Sequence, residues 1–153
     1  QGSGYLDMNW GASGIEDAFA RWDWSRTADA AEPVMLYDVA RRDGTPGSLA
    51  LRFRRDGTAD AFDPPERHPL FNGLWRMPRW TQSEAAPRML ARLEDAPFYA
   101  RSEIETTLFG ERVRAMHETF DGDRFRQRWV KALLPWRMPR VPSGALSPVG
   151  KFF

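Results

Sequence analysis

From Gly4 to Phe120 apolar and polar residues alternate in short runs broken by glycine, proline and aspartate. Successive side chains of a strand point to opposite faces, so this period predicts half-buried β-strands. The runs are Gly4 to Trp10, Arg21 to Arg26, Pro33 to Arg42, Ser48 to Arg55, Thr58 to Phe62, Leu74 to Trp80, Arg88 to Glu94, Ala100 to Phe109 and Glu111 to Phe120. About nine short strands at this spacing predict a closed antiparallel barrel or a sandwich. Asp43-Gly44 and Asp56-Gly57 are hairpin signals on either side of the fourth run, and Gly110 joins the last two. Gly11-Ala12-Ser13-Gly14 is turn-forming, Ile15 to Ala20 fits one helical turn, and Asp63 to Phe71, with Pro64, Pro65 and Pro69, predicts a loop. In the second run Trp22 and Trp24 share one face, and Arg21, Asp23 and Ser25 the other.

One stretch changes period. From Asp123 to Leu134, Phe125, Trp129 and Ala132-Leu133 recur at i, i+4, i+7 and i+8, which predicts a helix with one apolar face, ended by Pro135. A barrel followed by one packing helix is the lipocalin arrangement, an inference by fold-level analogy. The expected organisation is a mainly β, lipocalin-like antiparallel barrel over residues 1–140 and an irregular tail over 141–153, marked by Pro142, Gly144, Pro148 and Gly150. Trp75-Arg76-Met77-Pro78-Arg79 recurs as Trp136-Arg137-Met138-Pro139-Arg140, but the flanks differ, and coincidence explains it better than duplication.

Composition narrows the function classes. At 153 residues the chain is the size of a single domain. Hydrophobic residues are 42% and charged residues 28%, as in ordinary globular proteins. A net charge of +1 argues against a nucleic-acid partner, which would require a clustered basic face. With no cysteine, disulfides, thiolate catalysis and cysteine-ligated metal are excluded. No apolar run approaches the ~20 residues of a membrane span, and no signal peptide is visible. Strand-like sequence starts within a few residues of Gln1, with no initiating methionine, so an upstream domain of the same protein is expected.

Few residues carry candidate chemistry. His68 and His117 have no ligand partner at metal spacing, so satisfied histidines are expected rather than a metal site. Gly11-Ala12-Ser13-Gly14 falls one position short of a nucleophile elbow, and no phosphate loop or dinucleotide fingerprint is present. The more informative pattern is aromatic residues interleaved with acids. Trp10, Trp22, Trp24, Trp75 and Trp80 either wall an apolar pocket or fill the barrel core. Asp7 and Asp38 sit in strands of otherwise apolar or aromatic character. There they are either site acids or outward-facing carboxylates paired with arginines, since an unpaired buried carboxylate is costly.

Gly4-Tyr5-Leu6-Asp7-Met8-Asn9-Trp10-Gly11, Arg21-Trp22-Asp23-Trp24-Ser25-Arg26, Tyr37-Asp38, Glu94-Asp95-Ala96-Pro97-Phe98-Tyr99-Ala100-Arg101-Ser102 and Leu134-Pro135-Trp136-Arg137-Met138-Pro139-Arg140 together resemble the carotenoid 1,2-hydratases, also called hydroxyneurosporene synthases. The resemblance runs through nearly the whole chain and corresponds to the C-terminal half of such a protein. It implies a two-domain lipocalin-like fold and addition of water across the terminal double bond of an acyclic carotenoid such as lycopene or neurosporene. No metal and no organic cofactor are implied. A cytoplasmic enzyme at the membrane periphery follows from so apolar a substrate.

The family's proposed site uses an aspartate as acid, with a tryptophan and a tyrosine beside it and a histidine in the first motif. Trp10 matches the tryptophan, and Tyr37-Asp38 the tyrosine and aspartate region; Leu6 and Met8 stand where the family commonly has histidine. The expected assignment is therefore Asp38 as acid, Trp10 and Tyr37 as stabilisers of a tertiary carbocation, and Asp7 as the residue that positions water or serves as reserve acid. Tyr5, Met8, Trp22, Trp24 and Trp75 are the expected contacts to the hydrocarbon. Tyr37 and Asp38 are adjacent, so both reach one cavity only if a bulge or a strand end intervenes. Two other classes fit the same architecture: a cofactor-free polyene cyclase of the Diels–Alderase type, and a non-catalytic module that binds an apolar ligand.

Overall fold

The computed structural model describes residues 10–27 and 31–134. Seven antiparallel strands form one sheet in the order β4-β3-β2-β1-β9-β8-β7. They are β1 (Phe19–Thr27), β2 (Val34–Arg41), β3 (Pro46–Phe53), β4 (Ala59–Ala61), β7 (Arg88–Asp95), β8 (Tyr99–Leu108) and β9 (Glu111–Asp121). A ribbon of β5 (Arg67–Pro69) and β6 (Trp80–Gln82) lies over β1.

Turn chemistry fixes the hairpins. In Asp43-Gly44-Thr45 and Asp56-Gly57-Thr58 the aspartate Oδ1 accepts bonds from the threonine N–H and hydroxyl, while the glycine takes φ of 83° or 89°. At the β8–β9 hairpin, Phe109 and Gly110 have φ of 54° and 77°, and the Glu84 carboxylate accepts both of their N–H groups. These are the hairpins that the Asp-Gly and Gly110 signals predict.

The expectation of a mainly β, antiparallel fold holds in part, and two others are corrected. Among the described residues the sheet is open: its edge strands β4 and β7 are not paired to each other, so no closed barrel is seen. The sheet nevertheless curls enough for Phe62, just beyond β4, to pack against Phe109 at the β8–β9 turn, ring centres 4.9 Å apart. Leu74 to Trp80 is not a strand. It is a turn in which Arg76 has φ of 50°, and pairing begins only at Trp80, with β5 supplied by the supposed Asp63–Phe71 loop. The single helix is two short ones, α2 (Gly122–Phe125) and α3 (Arg128–Leu133), because Gln127 between them is extended. Phe125 packs on Phe98 and Phe120, but the fully buried residue of α3 is Val130, while Trp129 and Leu133 are exposed. At the start of the chain the helical turn is present as α1 (Ile15–Ala18). The 141–153 tail, the second pentapeptide copy and the Gly4 to Trp10 strand up to residue 9 lie outside the described residues.

The buried rows of the central strands are unusually polar. Cross-strand pairs share a face, and the inward row runs through Asp23, Ser25 and Thr27 of β1, Thr119, His117 and Ala115 of β9, and Ala100, Ser102 and Ile104 of β8. The opposite face carries an aromatic stack in which Trp22 lies against Phe120 (5.7 Å), Tyr37 (5.9 Å) and Tyr99 (6.4 Å).

Below this stack α2 abuts the start of β1. A Cβ on Gly122 would lie 2.3 Å from the Phe19 carbonyl oxygen, so the approach requires glycine. Gly122→Ala is expected to lower stability by about 1–3 kcal/mol, the usual cost of overpacking, read as a fall in the urea midpoint at unchanged slope.

Candidate functional site

The strongest concentration of buried polar side chains lies where β6 crosses the inner face of β1, β2 and β9. Asp23 and Asp38 are directly opposite each other on β1 and β2. With Ser25, His117 and the Trp80–Gln82 strand they border a small cleft. Its volume of about 10 Å³ leaves room for the centre of one water molecule.

Asp23 is almost saturated. Its Oδ1 accepts bonds from the Thr119 hydroxyl at 2.6 Å and the Trp80 N–H at 3.3 Å; its Oδ2 accepts from Arg21 Nη2 at 3.0 Å and Nε at 3.2 Å. Burial pushes its carboxyl above the ordinary aspartate range, against the pull of Arg21 and these donors.

His117 is 1% exposed and uses both ring nitrogens. Arg79 Nη2 lies 3.3 Å from Nδ1, and because a guanidinium can only donate, Nδ1 must be the acceptor. Nε2 therefore carries the proton and donates to the Trp80 carbonyl at 2.8 Å. Burial, followed by the nearby Arg79 charge, pulls this histidine down to about 3, so it is neutral throughout the physiological range.

Asp38 differs. Its side chain is 21% exposed, at the lip of the cleft. Arg67 Nε stands 2.7 Å from its Oδ2, yet the buried Oδ2 receives no well-directed hydrogen bond, so the contact is an ion pair rather than a directed N–H···O bond. The same guanidinium lies 5.4 Å over the centre of the Trp80 ring. Asp38 and Trp80 thus flank one cation, the arrangement an aromatic face and a carboxylate favour.

The structure separates residues that the sequence reading grouped. Tyr37 and Asp38 lie in a regular register with no bulge between them, so Tyr37 faces the aromatic stack and Asp38 the cleft. Trp22 belongs to that stack, and Trp24 borders the cleft from a row facing the other way. Trp75 stacks on Trp129 at 6.2 Å, away from the acids, and Trp10 is 88% exposed and not in a strand. Asp7, Tyr5 and Met8 lie outside the described residues. Sequence reasoning missed Asp23, Arg79, Thr81 and His117 as a unit. The one signal in the sequence is parity: Asp23 lies on the face of β1 opposite Trp22 and Trp24, and the face that carries Asp23 is the buried one.

Among the described residues no cluster of histidine and carboxylates is able to hold a metal ion. A second, open groove of about 830 Å³ carries Arg52, Arg55, Arg112 and Arg114 above Val34, Leu108 and Val113, and contains neither Asp23 nor Asp38. No helix among the described residues is long and apolar enough to cross a membrane.

The neutral burial of His117 has a stability consequence. Its folded value lies far below the ordinary 6.5, so below that pH the unfolded chain binds a proton that the folded chain refuses, and stability falls as pH drops from 6.5 towards 3. Between pH 7 and pH 5 this amounts to about 2 kcal/mol. Urea unfolding at the two pH values should show that loss in the native chain and a much smaller one in His117→Gln.

The family described as "Carotenoid hydratase CrtC" matches residues 1–146. Among curated proteins, the chain is 50% identical over 143 residues to an acyclic carotenoid 1,2-hydratase of Thiocapsa roseopersicina, covering 92% of this chain and 35% of that protein. It is 41% identical to the protein of that name from Rubrivivax gelatinosus, over 91% of this chain and 35% of the relative. With that of Cereibacter sphaeroides it shares 36% identity, over 95% of this chain and 53% of the relative. The chain therefore spans between about a third and a half of the length of these relatives. No solved structure matches it. A match over residues 1–146 together with these identities places the chain in the carotenoid hydratase CrtC family.

Proposed function

We propose that this chain takes part in hydrating the terminal double bond of an acyclic carotenoid, with Asp38 as the proton donor. The reading is supported by family membership and by one observation: the Arg67 guanidinium, held between the Asp38 carboxylate and the Trp80 ring, marks where a positive charge is favoured. Arg67 is half-exposed, so its guanidinium is free to withdraw into solvent when a substrate end arrives.

The reaction balances with this chain's own groups. The Asp38 carboxyl gives its proton to carbon 2 of the alkene, and the positive charge develops on carbon 1, a tertiary centre. The Trp80 face stabilises that charge where the guanidinium stood, an interaction worth ~2 kcal/mol when desolvated. Water adds to carbon 1, and its surplus proton returns to the Asp38 carboxylate. An apolar chain over the mouth excludes bulk water, which keeps the proton from being shared with solvent. Trp80 takes the role first expected of Trp10 and Tyr37.

The reacting end meets Asp38 and Trp80 at the lip of the cleft. A polyene folded on itself does not fit a space of about 10 Å³, which favours hydration over cyclisation at this site. The rest of the hydrocarbon lies outside the cleft, in a protein that we read as cytoplasmic and peripheral to the membrane. The activity belongs to the whole protein, including any upstream domain.

Replacing Asp38 by Asn in the full-length protein is expected to reduce hydrated product by about 100-fold or more, the range of a lost general acid. Unchanged circular dichroism and a preserved visible-band shift on carotenoid binding would accompany that loss. Full activity in this variant would remove Asp38 from the chemistry, and a band shift with no oxygen taken from labelled water by the native protein would indicate a binding module.

A further inference from the structure

Three features of the cleft combine into an assignment beyond the acid. It holds the centre of one water molecule, about 10 Å³. Two residues that border it carry a buried oxygen without a directed hydrogen bond: Thr81 Oγ1, and Asp38 Oδ2, which is held only by its ion pair with Arg67. Both nitrogens of His117 and both oxygens of Asp23 are bonded, and the Gln82 side-chain amide donates to Ser48 while its backbone carbonyl accepts from Thr106. A water site requires a polar enclosure of this size with two or more free partners, and a buried hydroxyl left unpaired is costly.

We infer that Thr81 and Asp38 bind the water molecule that is consumed in the hydration, an inference that rests on the proposed reading of Asp38. The carboxylate oxygen accepts a hydrogen of this water and the Thr81 hydroxyl bonds its other side. Asp38 is at the lip and Thr81 is buried, so the water lies beneath the reacting end, on the cleft side of carbon 1. After protonation, the water's oxygen forms the C–O bond to carbon 1 and one of its O–H bonds breaks towards the Asp38 carboxylate, which ends the cycle protonated. Without that water the cation has one neutral exit: loss of a proton from carbon 2 or an adjacent methyl group to the same carboxylate, which returns an alkene.

Thr81 is accordingly a positioning residue that sets the partition between capture and return, while Asp38 sets whether a cation forms at all. In deuterium oxide the two steps are separable, because a cation that returns to alkene retains deuterium. The full-length protein is incubated with lycopene in deuterium oxide, and both the hydrated product and the deuterium in recovered lycopene are measured. Thr81→Val, which keeps shape and removes the hydroxyl, is expected to raise the ratio of exchange to hydration roughly tenfold, the weight of one hydrogen bond. Thr81→Ser should restore the native ratio. An unchanged ratio in a folded Thr81→Val protein, or an equal loss of both signals, would overturn the water assignment and leave Asp38 as acid. Persistence of both signals in Asp38→Asn would instead overturn the underlying reading.

A measurement on the unaltered protein guards against a variant that fails to fold. A one-water site rejects methanol, so dilute methanol should yield the alcohol product without the methyl ether. Ether formed in proportion to the methanol present would mean capture by free solvent and would refute the site.

Discussion

The buried carboxylate of Asp23 is the constraint around which the rest is arranged. An uncompensated charge in the interior costs several kcal/mol, so a carboxylate in the middle of a central strand must draw donors from its surroundings. They come from three segments: Arg21 on its own strand, the Thr119 hydroxyl on β9 and the Trp80 N–H on β6. The carbonyl of that same Trp80 accepts from His117 Nε2. One residue of β6 is thereby gripped at both its donor and its acceptor by side chains of the sheet. This double bond sets the height of β6 above β1, and with it the positions of the Trp80 ring and the Thr81 hydroxyl relative to Asp38.

That constraint also explains what could and could not be read in advance. The hairpins were legible because their causes are local: an aspartate one residue before a glycine with positive φ, as at Asp43-Gly44 and Asp56-Gly57. The strands followed from alternation, and the family from its ordered motifs. Which face points inward did not follow. The row Trp22 and Trp24 is the more apolar, yet the buried row of β1 is Asp23, Ser25 and Thr27. A polar row can turn inward only if something across from it supplies partners, and here that is the segment carrying Met77, Arg79 and Thr81. Alternation alone marks this segment as one more strand, but it enters through a turn with Arg76 at positive φ and meets β1 and β9 across more than 35 residues of chain. Its role is a property of the assembled fold and leaves no mark on the alternation of any single strand. The broken C-terminal helix has the same origin, since Phe125 and Val130 each answer to packing partners rather than to one continuous stripe.

The two faces of the sheet therefore divide what the sequence reading had combined. Tyr37, Trp22, Tyr99 and Phe120 form an aromatic layer on one side; Asp23, Asp38 and His117 lie on the other. Trp80 lays its ring beside the Arg67 cation that pairs with Asp38, and it arrives from the covering ribbon and not from the sheet. A wide apolar tunnel lined by tryptophans is absent among the described residues, and its place is taken by a narrow cleft that Trp24 and Trp80 border together with Asp23, Asp38 and His117.

A narrow cleft suits hydration for a reason that concerns selectivity more than rate. A tertiary carbocation next to a carboxylate has two exits, capture by oxygen or return of a proton, and both are fast. A wide hydrated pocket would favour capture but let solvent compete for the acidic proton beforehand; a wide dry pocket would protect the proton but favour return. On the proposed reading, one enclosed water beneath the cation and an apolar chain above it separate the two demands. The acid is shielded from bulk solvent while a single nucleophile is already in place, and the carboxylate that gave up its proton is the base that recovers one from that same water.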